Sequence, residues 1–187
     1  MTLSAVVSTA STSLQPLMRL RAAAIITRPG QVLLHRMQGD AFWALPGGGI
    51  EPGESAGEAL VREMGEELGL AVVSGALACV VENFFVYAGT AYHETGLYLH
   101  VHPQPASLLD QSPGPYEGIE GGRRLEFAWF ELSALAGLDL RPPFLREALA
   151  RGHEGILHIV YRDPQPPLPA GAVVEPFATP SKARHET

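Results

Sequence analysis

Residues 48–70 read GGIEPGESAGEALVREMGEELGL. Ala56, Ala59, Leu60, Met64 and Leu68 recur at helical spacing and make one apolar stripe. Ser55 and Glu58 have the S-x-x-E spacing of a capping box, which satisfies free N–H groups of a first helical turn. Gly69 supplies the left-handed stop. The pattern predicts a helix between Ser55 and Gly69. Gly57 and Gly65 inside it each cost about 1 kcal/mol relative to Ala, so tertiary packing must hold it.

On that helix Glu63, Glu66 and Glu67 stand at i, i+3 and i+4 and share a face. Like charges at such spacing repel by roughly 0.2–0.5 kcal/mol per pair. They also lie near the C-terminal end of the helix, where the macrodipole disfavours negative charge. A hard divalent cation offsets both effects, because Mg²⁺ takes carboxylate oxygens together with substrate phosphates. The plainer alternative is a solvated acidic face neutralised by Arg62.

Upstream, residues 21–27 (RAAAIIT) and 31–36 (QVLLHR) read as two strands around a Pro29-Gly30 turn, which predicts a hairpin. The Gly47-Gly48-Gly49 run marks a sharp bend or a close approach of backbone. Downstream, strands are expected at about 76–87 and 96–102, then a long Pro/Gly-rich loop over 103–122, a strand over 125–131, a helix over about 144–151 and a last strand near 156–161. This order predicts an α/β fold: an α/β/α sandwich with a central mixed sheet and flanking helices. Residues 18–162 form the expected domain. Residues 1–17 are expected to be a flexible extension, with Met18 an alternative start, and 163–187 a Pro-rich flexible tail.

The chain has 187 residues, enough for one self-sufficient domain. Thirteen basic against twenty acidic residues give a net charge of −7, which argues against stable nucleic-acid binding through phosphate contacts. The single cysteine, Cys79, permits no internal disulfide and reads as a buried thiol. No apolar run is long enough for a membrane span, and no basic residue precedes Arg19 as a secretory signal requires. A soluble, cytoplasmic protein is the expectation.

Written as G-x5-E-x7-R-E-U-x-E-E-x-G-U, with U a bulky apolar residue, the segment from Gly48 to Leu70 resembles the signature of Nudix hydrolases. All seven fixed positions match, a coincidence of order one in a million at background frequencies. Pro46-Gly47-Gly48 and the Glu126–Trp129 strand resemble the family as well, so the likeness covers about residues 20–160. It implies a Mg²⁺-dependent pyrophosphohydrolase, with Mn²⁺ as the alternative ion, acting on a small nucleotide-type substrate. A homodimer is also implied, since many members dimerise.

The resemblance implies that Glu63, Glu66, Glu67 and the Gly47 carbonyl hold metal, and that Glu54 and Arg62 brace the loop against the helix. The general base is implied to be Glu63 or a loop glutamate, for which Glu120 is the candidate and Glu117 its neighbour. His93 and Glu94, expected between two strands, are candidates for the substrate pocket or a turn cap. Trp43, Tyr87, Phe84 and Phe85 are candidates for stacking a base, against a plain core role. Tyr87 lies 17 residues past Leu70, near the place where dinucleoside polyphosphate hydrolases of the family carry a tyrosine. A catalytically silent nucleotide sensor on the same fold is the alternative; such a module would be expected to have lost a helix glutamate. Isomerases of this fold need further Cys/His ligands, which a lone Cys79 disfavours.

Overall fold

The computed structural model describes residues 15–152 and 155–164. Strands β1 (Leu17–Ile25), β2 (Thr27–Arg28), β3 (Gln31–Met37) and β4 (Trp43–Ala44) precede helix α1 (Ala56–Leu68). Strands β5 (Val72–Tyr87) and β6 (Thr90–Pro103) follow. Then come α2 (Leu108–Gln111), β7 (Tyr116–Glu120), β8 (Arg123–Glu131), a 3-10 turn (Leu132–Gly137), β9 (Leu140–Arg141), α3 (Leu145–Arg151) and β10 (Leu157–Arg162). The expected extension over 1–14 and the tail beyond 164 lie outside the described residues; β1 itself begins at Leu17.

The expected α/β/α sandwich is present, with its central layer divided into two mixed sheets. One has the order β1-β6-β5-β10, the other β7-β8-β3-β4-β9. Strand alternation sends side chains to two cores. Ala22 and Ala24 of β1 and Leu33 of β3 face the core beneath α1. Ala23 and Ile25 of β1 and Val32 and Leu34 of β3 face the second core, which includes Leu135 of the 3-10 turn and Leu145 of α3. Helix α1 contributes Ala59, Leu60, Met64 and Leu68 to the first core. Fully burying a side chain such as Leu60 or Met64 contributes about 1.5–3 kcal/mol, which outweighs the two interior glycines.

The capping box forms as expected. Ser55 accepts from the Glu58 N–H at 3.3 Å and the Glu58 carboxylate accepts from the Ser55 N–H at 2.7 Å, while Gly69 ends the helix at φ 63. Ser55→Ala should therefore cost about 1 kcal/mol, or roughly 2–4 °C in thermal midpoint for a chain of this size. An unchanged midpoint in a calorimetric scan would show that the cap adds nothing to a helix already held by its core.

Three expectations are corrected. The expected hairpin forms only at its tip: β1 runs parallel to β6, and β2 rather than β1 pairs antiparallel with β3. The gap expected between two strands at His93 and Glu94 is closed, because β5 and β6 join through a two-residue turn at Ala88 and Gly89, both at positive φ. Such a turn suits a hairpin's twist and is usually announced by Asn-Gly rather than Ala-Gly. The long loop over 103–122 contains α2 and β7, which pairs antiparallel with β8. No helix among the described residues is long and apolar enough to cross a membrane.

Candidate metal and substrate site

The glycine turn lies flush against β1. The Pro46 and Gly48 carbonyls accept from the N–H groups of Ala24 and Ala22 at 2.8 and 2.9 Å. Between them Gly47 sits at φ +129, and a Cβ there would overlap the Ala22 carbonyl. A Cβ on Gly48 would overlap the Glu63 carboxylate. Only residues without side chains let the turn fit between strand and helix.

Arg62 braces this arrangement. It donates to Glu54 at 2.7 Å and to the Gly49 carbonyl at 3.0 Å, tying the loop to α1. The same guanidinium donates to Glu63 at 2.9 Å and to Glu66 at 3.3 Å. Its bond holds the Glu54 carboxyl below the usual range.

The three helix carboxylates are not equivalent. Glu63 and Glu67 are buried, whereas the Glu66 side chain is 64% exposed and turned to Arg62. Among the described residues no three acidic, histidine or cysteine side chains form a ready-made cation cage. Burial therefore separates Glu63 and Glu67, which face inward, from Glu66, which is exposed beside Arg62.

Glu67 is the anomaly. Both of its carboxylate oxygens are buried and without a hydrogen-bond partner. Burial first, then the charges of Glu120 and Glu63, push its pKa up to about 8. Buried polar groups are normally satisfied, and a buried charge needs a partner. Hard carboxylate oxygens beside a backbone turn fit a divalent cation of the Mg²⁺ type. The His35 Nδ1 lies 3.8 Å away, and the Arg21 charge acts to lower the Glu67 pKa. Burial and then Arg21 lower the His35 pKa to about 3, so its imidazole is neutral. Its Nδ1 is also buried and unpartnered. The sequence signal for His35 was present, a lone polar ring in the apolar run QVLLHRM, but it was not singled out.

Strand β7 brings Glu120 to the same place. A Cβ on Gly118 would overlap the backbone carbonyl of Glu67, so β7 lies directly on the last turn of α1. Glu120 lines a cleft of about 430 Å³ together with Gly47, His35 and Arg21. That volume suits a small ligand. Glu117 faces outward on the same strand.

Tyr87 and Glu94 line this cleft as well. Tyr87 meets Phe42 edge-on at 6.2 Å, and Phe42 also lines the cleft. Trp43, a candidate for base stacking, does not line it: its ring is buried in the second core against Phe130 at 4.6 Å, with Arg36 over it at 4.5 Å. Pairing of β4 between β3 and β9 fixes that orientation. His93 is on the opposite face of β6 from Glu94, stacked on Phe84 at 4.1 Å. Strand alternation separates these two neighbours. Phe85 rather than Phe84 faces the cleft.

Comparison with known proteins agrees with this architecture. The model of the NUDIX domain matches residues 17–152, and the chain belongs to that family. An RNA pyrophosphohydrolase of Serratia proteamaculans is 41% identical over 63 residues, 34% of this chain and 36% of that protein. The chain thus matches about a third of the length of such relatives. Among solved structures, a MutT protein of Bacillus halodurans is 18% identical, with TM-score 0.56 over 77% of this chain and 89% of that one. An ADP-ribose pyrophosphatase of Streptococcus suis is 18% identical, with TM-score 0.51 over 76% and 98%. At these identities the likeness is one of fold.

Proposed function

We propose that the protein is a Nudix pyrophosphohydrolase that cuts the P–O–P linkage of a nucleoside diphosphate joined to a further group. The observation that carries this reading is Glu67: a buried carboxylate with two unpartnered oxygens, 3.8 Å from His35, which lines a nucleotide-sized cleft. Membership of the family and the names of its relatives support the reaction class.

The residues that would hold a divalent ion, Mg²⁺ or Mn²⁺, are Glu67 and Glu63 with the Gly47 carbonyl, and Glu66 from the rim. Such an ion supplies charge neutralisation of the diphosphate and a water of lowered pKa. Glu54 and Arg62 hold the turn in place. Arg62 already donates to Glu63, whereas Glu120 faces the cleft, which supports Glu120 as the acceptor of the attacking water's proton. The water oxygen bonds to one phosphorus as the bond from that phosphorus to the bridging oxygen breaks. The second phosphate leaves with the electron pair, still attached to its group. Tyr87, Phe42 and Glu94 line the cleft, which supports a role for them in contacting the rest of the substrate. The net charge of −7 fits a small nucleotide partner rather than a nucleic acid, and a cytoplasmic setting suits such a substrate.

The test is a panel of nucleoside triphosphates, ADP-ribose, nucleotide sugars and dinucleoside polyphosphates, with and without Mg²⁺. Phosphate and pyrophosphate release are scored separately. The expected result is cation-dependent turnover of at least one class. Tight binding with no turnover of any compound would instead identify a silent sensor.

A further inference from the structure

Among the described residues, four arginines line the cleft: Arg19, Arg21, Arg36 and Arg141. Three of them are committed to acids. The Arg19 Nε donates to Glu94 at 2.5 Å, the Arg36 Nη2 to Glu126 at 2.7 Å and the Arg141 Nε to Asp139 at 2.8 Å. Arg21 differs. It forms no ion pair with any described residue, and its side chain donates only from Nη2 to the Leu45 carbonyl at 3.3 Å. A guanidinium has five N–H donors in a fixed fork and is always charged. Arg21 is half-buried, so most of that fork is withdrawn from bulk water without an acid to meet it. A charge in that position calls for an anion.

Strand β1 fixes where that anion lies. The Arg21 backbone bridges to Gly49, and the next residues, Ala22 and Ala24, donate to the Gly48 and Pro46 carbonyls. Arg21 therefore stands at the foot of the glycine turn, on the same strand face as Arg19 and Ala23. Across the sheet it is opposite Gly96 of β6, which is opposite Val81 of β5. Gly96 leaves the floor beside Arg21 bare, since a Cβ there would run into the Tyr98 ring at 2.7 Å. The charge of Arg21 also acts on both Glu67 and His35. A divalent ion held by Glu67 and Glu63 would bring a second positive centre to the same corner. Two positive centres beside one space are satisfied together by an anion with oxygens for each, and a diphosphate is such an anion.

We infer that Arg21 binds phosphoryl oxygens of the substrate's diphosphate and shares that anion with the cation at Glu67. The inference rests on the reading of this corner as a cation and diphosphate site, and adds the protein group that holds the phosphates. The planar fork meets two oxygens of one phosphoryl group through parallel hydrogen bonds, which fixes orientation as well as charge. A lysine would supply a point charge without that orientation. Arg21 neither gives nor takes a proton in the reaction; it holds the phosphorus in place while the water attacks. The other three cleft arginines do not compete for this role, because each already serves an acid of the chain.

Two calorimetric titrations of the full chain test the inference apart from any hydrolysis. Inorganic pyrophosphate is titrated into metal-free protein, and Mn²⁺ is titrated separately with no anion present. Arg21→Gln should weaken pyrophosphate binding by about ten-fold or more, the loss expected when a charged hydrogen-bonding partner is removed. The same variant should bind Mn²⁺ at least as tightly as the native chain, because a positive charge beside Glu67 has gone. A purely structural role would weaken both ligands together. Arg21→Lys keeps the charge and loses the fork, so its pyrophosphate affinity should fall between the two, about threefold or more below native. If Arg21→Gln does not fold, Arg21→Lys decides. No binding of pyrophosphate by the native chain, an unchanged affinity in the deciding variant, or a joint loss of pyrophosphate and Mn²⁺ overturns the assignment. Cation-dependent turnover with a KM unmoved by Arg21→Gln would leave the hydrolase reading intact and remove this one. Arginine-dependent pyrophosphate binding in a chain that turns over no compound would do the reverse.

Discussion

Glu67→Gln should lose about 99% or more of cation-dependent turnover while the chain remains folded. Mutating groups that merely orient metal ligands costs about 10- to 100-fold, and Glu67 is proposed as a ligand itself. The substitution keeps shape and removes charge, and the buried carboxylate has no hydrogen bond to lose. The pH dependence of stability gives a second readout. The Glu67 pKa is raised from 4.5 to about 8, so the folded state binds this proton more tightly than the unfolded state. Its contribution to stability is present below about pH 4.5 and is lost as pH rises toward about 8. The metal-free native protein should therefore lose thermal stability across that window, and Glu67→Gln should flatten this part of the profile. Mg²⁺ should raise the native midpoint most at the alkaline end, where the carboxylate is ionised. Native-like turnover in the variant would defeat the assignment of Glu67 to the metal.

Gly47→Ala should be the most damaging single methyl in the glycine turn. At φ +129 an L-residue is strained by about 1–3 kcal/mol, and overlap with the Ala22 carbonyl adds a further overpacking cost of about 1–3 kcal/mol. The thermal midpoint should fall by roughly 6 °C or more, and turnover should fall with it as the Gly47 carbonyl moves. Gly49→Ala provides the control, since nothing lies within 4 Å of its Cβ position and its φ is ordinary. It should stay within about 0.5 kcal/mol of the native protein. Equal behaviour of the two variants would show that the turn adapts, and that its position does not depend on contact with β1.

The three glycines look alike in sequence, and this marks where sequence reading stops. The helix was legible because its determinants are local: Ser55 and Glu58 cap it, Leu60 and Met64 set its buried side, and Gly69 ends it. Glu63, Glu66 and Glu67 were legible as a group for the same reason. Their different surroundings were not, because Gly48, His35 and Glu120 reach them from other parts of the chain. Strand β7 was hidden because it pairs only with β8, and its sequence YEGIE between Pro- and Gly-rich turns carries no apolar alternation. Trp43 and His93 were misplaced for one further reason. Which face a strand residue takes depends on its neighbours' register, and a slip of one position sends it to the other side.

Helix α1 is touched at its last turn by bare backbone, where Gly118 lies on the Glu67 carbonyl. No rotatable group intervenes there, so the separation between the last turn of α1 and β7, which carries Glu120, is gauged by main chain alone. Gradual drift among the surrounding apolar residues can repack the interior without resetting that separation. A methyl group added at Gly118 shifts it at once, and the tolerance of the domain to sequence change is therefore sharply uneven around its most acidic corner.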